Sequence, residues 1–270
     1  QHSGDVFWFV STLFNCSFVE AINIIAKDFG LIKSEEPKNT PKIEYKGEKV
    51  TEHPGAVIKC EIKPFTAQEL DWWGAYGITL ETLKHFNVFS VRNVWLNGNL
   101  FHLCTGEQRV FGYYGGVDED SIEKWKIYWP GVHKKFINNW PATMMQGLQQ
   151  MPPKGDTLFI QKALKDVMVM YELGYTAIAP NSENAPLEDN VLEALKKRYK
   201  RIIIWMDNDE AGINSLNRIK ERHPELEYYH LPSGGPKDFS DYVKKYGKES
   251  GKQLIKDNFF QKDGGLPEDW

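Results

Sequence analysis

The sequence has few of the residue patterns that mark zinc sites, membrane spans or nucleotide-driven motors. Its 3 cysteines form no CxxC or Cys/His pair, so we expect reduced, buried thiols and no complete zinc site. No apolar run approaches the length of a membrane span and no signal-peptide pattern opens the chain, which indicates a cytoplasmic protein. The motifs GxxxxGKS/T and HExxH are absent, which excludes a Walker-type nucleotide site and a histidine zinc site of that kind.

An excess of positive charge is also missing. Lys and Arg number 33 against 37 for Asp and Glu, so the formal net charge is -4. Such a chain does not coat nucleic acid through overall basicity, because phosphate binding requires positive charge close to each phosphate. Any nucleic-acid contact is therefore expected in a local patch. With 41% hydrophobic residues in 270, the chain can form one large domain or two modest ones.

The first part of the chain predicts a helical segment, a linker and a strand-rich region. Residues 5–30 contain a capping box at 17–20 and end on Gly30, which predicts a helix. The polar stretch from 33 to about 54 predicts a linker. A second capping box, Thr66 with Glu69, and a short helix near 80–86 precede a strand-rich stretch at 88–114, for which Gly98 and the pair 115–116 are predicted hairpin turns.

From residue 157 onward, short apolar segments alternate with segments of helical periodicity. Three successive strand–helix units with nearly continuous apolar strands predict a parallel sheet covered by helices on both faces. The sequence therefore indicates an α/β fold preceded by a smaller mixed α+β subdomain. The predicted strands are 158–160, 176–180, 201–206 and 226–231, and the predicted helices are 164–173, 187–198 and 211–222.

Two carboxylates follow the Ile-rich strand at 201–206. Asp207 and Asp209 are two residues apart, so on an extended backbone their side chains point to the same side. The carboxyl ends of parallel strands are where ligands gather, and Mg²⁺ prefers oxygen ligands, so this pair is a candidate metal site. The alternative for Asp209 is a helix N-cap, since an acid there stabilises the helix dipole.

A segment between residues 124 and 136 interleaves basic and aromatic side chains. Lysines that neutralise phosphates and aromatic faces that stack on bases are typical of a track for single-stranded nucleic acid. The alternative is an ordinary amphipathic strand whose lysine face is solvated. The candidate nucleic-acid-binding residues are Lys124, Lys126, Lys134, Lys135 and Arg92.

Three motifs in the second half resemble the TOPRIM domain shared by bacterial primases, phage helicase-primases and topoisomerases. The family has EGxxD, DxDxAG and KDxxD motifs, and this chain has IQKALKD at 160–166, MDNDEAG at 206–212 and PKDFSDY at 236–242. The third motif is most similar to phage primases. Residues 4–30 also resemble the helical tail that follows the zinc ribbon of such primases, so zinc is expected only in a ribbon upstream of Gln1.

The resemblance implies a function and a domain layout. A protein of this kind is a DNA-directed RNA polymerase that makes RNA primers on single-stranded DNA from ribonucleoside triphosphates, with Mg²⁺ or Mn²⁺ and, in some cases, a replicative helicase as partner. By the same resemblance, Asp207 and Asp209 bind metal, Asp166 and Asp238 are further ligands, and Lys162, Lys165 and Lys237 meet phosphates. The implied segments are 1–30 (helical tail), 31–55 (linker), 56–152 (amino-terminal catalytic subdomain), 153–247 (TOPRIM domain) and 248–270 (C-terminal helix and tail).

The first motif departs from the family pattern. Lys162 stands where the family has glutamate, and Ala163 stands where it has glycine. Three interpretations follow: a non-catalytic protein that binds DNA or a replication partner, a Lys162 that binds phosphate, or another acid that replaces the glutamate. Glu183, just past the second strand, is the candidate for that acid, although it could equally be a solvated loop residue. A TOPRIM nuclease is a further alternative for the whole site.

Overall fold

The computed structural model describes residues 55–103, 108–132, 135–182 and 187–260. By its contacts the chain divides into two units, 1–49 and 50–270, and all the described residues belong to the second. The predicted helix at 5–30, the predicted linker, Lys134 and Glu183 therefore lie outside the described residues. Within the described ranges, no helix has both the length and the apolar composition that are needed to cross a bilayer.

The first part of the described chain is an antiparallel sheet with two short helices. The strands have the order β1-β2-β4-β5-β6, and β3 pairs with β2 as a hairpin. The elements are β1 (Ile58–Lys63), α1 (Ala67–Gly74), α2 (Leu80–His85), β2 (Val88–Leu96), β3 (Asn99–Leu103), β4 (Phe111–Val117), β5 (Glu123–Tyr128) and β6 (Phe136–Asn138).

Local sequence signals account for the start of α1 and for one of the two predicted turns. Thr66 and Glu69 form the predicted capping box, in which Thr66 Oγ1 accepts from the Glu69 backbone N–H at 3.2 Å and the Glu69 carboxylate accepts from the Thr66 N–H at 2.8 Å. Gly98, at φ 82°, makes the predicted turn between β2 and β3. The turn predicted at 115–116 is wrong: the pair lies inside β4 at a register shift, and the chain turns at 118–121 instead.

The second part is the predicted α/β sheet. Its strand order is β11-β10-β8-β9-β7, with parallel pairing throughout except that the two-residue edge strand β7 is antiparallel to β9. All the strands and helices predicted from 157 onward are present. The elements are β7 (Met145–Gln146), β8 (Gly155–Ile160), α3 (Leu164–Glu172), β9 (Ala177–Pro180), α4 (Asp189–Lys196), β10 (Tyr199–Met206), α5 (Glu210–Arg222), β11 (Glu227–His230), α6 (Phe239–Tyr246) and α7 (Lys248–Phe259).

Successive side chains of the central strands point to opposite faces of this sheet, so apolar residues form a core on each face. Phe159 and Trp205 pack into one cluster, while Ile160 and Ile204 pack into the other. The first cluster also contains Trp73, contributed by α1. One continuous core thus crosses the division predicted at residue 152, and that division remains a prediction.

Candidate active site

Charged side chains gather at the carboxyl edge, by which we mean the ends of β8, β9, β10 and β11. Strands β8 and β10 pair in parallel with Ile160 opposite Ile204, so residues that follow the two strands leave the sheet side by side. This register brings Lys162 next to Asp207. We call Lys162, Asp207, Asp209 and Lys237 the edge cluster.

Asp207 is the buried centre of the edge cluster, with 4% of its side chain exposed. Its Oδ2 accepts from Lys162 Nζ at 2.6 Å and lies 3.4 Å from Lys237 Nζ. Burial raises the pKa of the Asp207 carboxyl, and the neighbouring Lys162 ammonium opposes that rise without cancelling it. Asp207 is therefore a desolvated acid that needs cations beside it in order to be charged.

Each carboxylate oxygen of Asp209 has a different partner. Oδ1 accepts from the Gly212 backbone N–H at 2.8 Å and caps α5, so the N-cap interpretation is confirmed. Oδ2 pairs with Lys237 Nζ at 2.7 Å. Burial acts to raise the pKa of Asp209, but the bonds from Lys237 and Gly212 outweigh it and the pKa is lowered.

Asn208 and Gly212 both affect the position of the edge cluster, and sequence reasoning missed both roles. Asn208 donates its side-chain amide to the carbonyls of Pro232 and Pro236 at 3.0 and 2.9 Å, which fixes the loop that bears Lys237. A Cβ at Gly212 would lie 2.9 Å from the Asp207 Cβ and 3.0 Å from its carbonyl carbon. The middle Asn and the final Gly of DNDEAG were the available signals.

Asp166, Lys165 and Asp238 form a second group of charged side chains, where the start of α3 meets the start of α6. The Asp166 carboxylate accepts from the Ser240 backbone N–H at 2.9 Å, and burial, together with nearby Asp238, raises the pKa of the Asp166 carboxyl well above its usual range. Lys165 Nζ lies 3.8 Å from Asp238 and 4.3 Å from the centre of the Tyr76 ring. Only 15% of the Lys165 side chain is exposed, so it packs as an interior cation, and its predicted phosphate contact remains a prediction.

The described side chains do not fit a divalent cation as they stand. A cation at this edge would need several oxygen ligands, and Asp207 Oδ2 already contacts two ammonium groups. In the part of the chain that the structure describes, no three His, Cys, Asp or Glu side chains are grouped closely enough to hold a metal ion. A metal bound by Asp207 and Asp209 remains a prediction, and it would require the lysines to move or a further acid to approach.

Lys124 and Lys126 are both buried, so the alternative of a solvated lysine face is wrong, and their contact with nucleic acid remains a prediction. Lys124 pairs with Asp118 at 2.7 Å with 7% of its side chain exposed. Lys126 donates to the Asn181 carbonyl and lies 4.9 Å from the centre of the Phe136 ring. Strand β5 lies between β4 and β6, and on its lysine face Asp118 pairs with Lys124 while Asn181, which follows β9, contacts Lys126.

The remaining predicted nucleic-acid residues are distributed differently. Arg92 is 58% exposed and pairs with Glu61 at 3.3 Å, and Lys135 is exposed. Lys134 lies outside the described residues, as does Glu183, the acid proposed to replace the missing glutamate. Nucleic-acid binding by Arg92, Lys134 and Lys135 remains a prediction.

Comparison with known proteins bears on the second sheet and its edge. Residues 160–243 match the family described as Toprim-like. The match runs from the last residue of β8 into α6 and includes the edge cluster. The chain contains a Toprim-like domain. The motifs that first indicated this family, at 160–166, 206–212 and 236–242, all fall within the matched residues of the Toprim-like domain.

Similar proteins include DNA primases. The chain is 23% identical to a DNA primase of Rickettsia typhi over 94% of this chain and 49% of that one, and 24% identical to one of Clostridium acetobutylicum over 59% and 26%. It thus spans half or less of these relatives. The DnaG primase catalytic domain bound to single-stranded DNA shares the fold at a TM-score of 0.54, with 15% identity over 72% of this chain and 75% of that one. The Toprim-like domain and the sheet before it therefore have the fold of a primase catalytic core.

Proposed function

We propose that this chain is the catalytic core of a primase that synthesises short RNA primers on single-stranded DNA. The observation behind the proposal is a group of acids and lysines at the carboxyl edge of a Toprim-like domain, within a chain that has the primase catalytic-core fold. Ribonucleoside triphosphates are the proposed substrates, and a replicative helicase is a proposed partner. Mg²⁺ or Mn²⁺ would neutralise the triphosphate charge when bound.

The residues of the edge cluster suit a triphosphate. Half of the Lys237 side chain is exposed, and its ammonium group lies against Asp207 and Asp209. These contacts raise the pKa of Lys237 despite the opposing effect of its burial, so it remains a cation at neutral pH. A fixed, charged ammonium group at the rim of the edge can meet a phosphate directly.

A second candidate function rests on the contact between Lys162 and Asp207. An ammonium group held 2.6 Å from the buried acid suits a protein that binds DNA or a replication partner and does not catalyse. On that alternative the acids would stabilise the edge and no new phosphodiester bond would form. A nuclease would use the same residues to shorten DNA.

One assay separates the three functions. The purified chain, alone and joined to an upstream zinc ribbon, is incubated with single-stranded DNA, labelled ribonucleotides and Mn²⁺ or Mg²⁺. New short RNA supports the primase, shortened DNA supports the nuclease, and DNA binding without either product supports the binding protein. Glu183→Gln is tested beside the parent chain, because loss of primer synthesis in this variant supports Glu183 as the replacement acid and full synthesis rules it out.

A further inference from the structure

Lys162 holds the position from which a cation would neutralise Asp207. Its Nζ lies 2.6 Å from Asp207 Oδ2, closer than the Lys237 Nζ at 3.4 Å. The Lys162 side chain is 20% exposed, and the β8–β10 register fixes its position. The Lys162 side chain leaves the end of β8 next to Asp207, and its Nζ donates a hydrogen bond to the Asp207 carboxylate. The contact between Lys162 and Asp207 thus follows from the pairing of β8 with β10.

The chemistry of the pair resembles that of an acid with a metal ion. A lysine in place of a carboxylate changes the local charge by two elementary charges, which is the charge of one divalent cation. The ammonium group donates hydrogen bonds but cannot ligate a cation. A divalent ion ligated by Asp207 Oδ2 would stand beside Lys162 and Lys237, both of which repel it.

We propose that Lys162 is a built-in cation that replaces a divalent ion at Asp207, so that Asp207 is a partner of Lys162 and not a metal ligand. Any divalent ion that the protein uses then binds without Asp207. The inference deepens the proposed function, since it concerns the same edge and rests on it for biological meaning. The inference is tested by metal binding, whereas the proposed function is tested by primer synthesis. Either one can therefore fail while the other holds.

Binding of Mn²⁺ alone to the full chain tests the proposal, measured by the electron paramagnetic resonance signal of free Mn²⁺. Asp207→Asn should change the Mn²⁺ dissociation constant by less than about twofold, because Asp207 does not ligate the ion. Lys162→Glu should tighten binding at least about tenfold, because two neighbouring carboxylates need a shared cation. The double variant should return to within about twofold of the parent chain.

Controls separate this effect from net charge and from misfolding. Lys220→Glu makes the same charge change on the exposed face of α5 and should leave Mn²⁺ binding unchanged. If Lys162→Glu unfolds, as judged by circular dichroism, Lys162→Met removes the ammonium group without adding an acid and should still tighten binding. Unchanged affinity in the folded Lys162 variants, or a tenfold loss in Asp207→Asn alone, would overturn the proposal.

Discussion

Two ionic clusters, each built around a buried acid, lie at opposite ends of α3 and differ in how that acid is satisfied. In the edge cluster, near the start of the helix, Asp207 faces two ammonium groups and still has a raised pKa. At the end of the helix, Glu172 accepts from the Thr79 N–H and hydroxyl at 2.7 Å each, from the Thr82 hydroxyl at 2.5 Å and from Lys248 at 2.8 Å. We call Glu172 and these three partners the Glu172 cluster.

The difference separates an acid whose charged form is destabilised by burial from an acid whose charged form is stabilised by its partners. Burial acts to raise the pKa of Glu172, but the bonds from Lys248, Thr82 and Thr79 outweigh it and lower the pKa to about 2. Glu172 therefore stabilises the fold in its charged form and links α2, α3 and α7. Asp207 is charged at a cost, which natural proteins accept mainly at functional sites.

Asp207→Asn should have the largest effect and sharpen the comparison. The change removes the carboxylate that holds Lys162 and Lys237, so we expect primer synthesis to fall by about a hundredfold or more, a loss typical of a fixed charge removed from an active site. Unfolding free energy should fall by no more than about 1 to 2 kcal/mol, because the buried acid no longer has to be charged and the Lys162 ammonium, on a side chain that is 20% exposed, can reach water. Primer yield and urea unfolding measure the two, and synthesis above a tenth of the parent rate would contradict the assignment.

Gly212→Ala should break the edge cluster through the backbone. The added Cβ meets the Asp207 backbone, which cannot move aside cheaply, so we expect a loss of about 3 kcal/mol in unfolding free energy together with reduced primer synthesis. Gly74→Ala is the matched control, because Gly74 ends α1 with no atom within 4 Å of its added Cβ. That control should leave stability unchanged or raise it by up to about 1 kcal/mol. Equal losses in both variants would dismiss the steric argument.

Glu172→Gln should break the second cluster at the level of stability. The amide keeps the shape but loses charged acceptors, so we expect a loss of about 2 kcal/mol at pH 7 with primer synthesis per folded molecule retained. The pKa of Glu172 is lower in the folded chain than its ordinary value of 4.5, so its contribution is complete above pH 5 and is lost as the pH falls towards about 2. Urea unfolding between pH 7 and pH 2.5 checks this, and a stability difference that does not shrink in acid would contradict it.

Local signals in the sequence predicted most of the second sheet but failed at particular points of the first. Apolar periodicity located every strand and helix from 157 to 231, because parallel strands buried on both faces have an unmistakable composition. The prediction of a turn at 115–116 was wrong because glycines occur both in turns and at β-bulges. Only the pairing of the strands distinguishes a bulge from a turn. A solvated face for Lys124 and Lys126, one of two alternatives, was wrong because alternation along a strand does not say what covers its polar face.

The sequence by itself determined the order of the elements from 157 to 231, the α/β fold and the acids of the second and third motifs, because these depend on periodicity and on residues a few positions apart. The tertiary structure alone decided which charges meet. Lys162 and Asp207 are 45 positions apart and touch only because β8 and β10 pair in one register. Because both groups are largely buried, the stability of each charge depends on its distance from the nearest opposite charge. No pattern in the sequence predicts that distance.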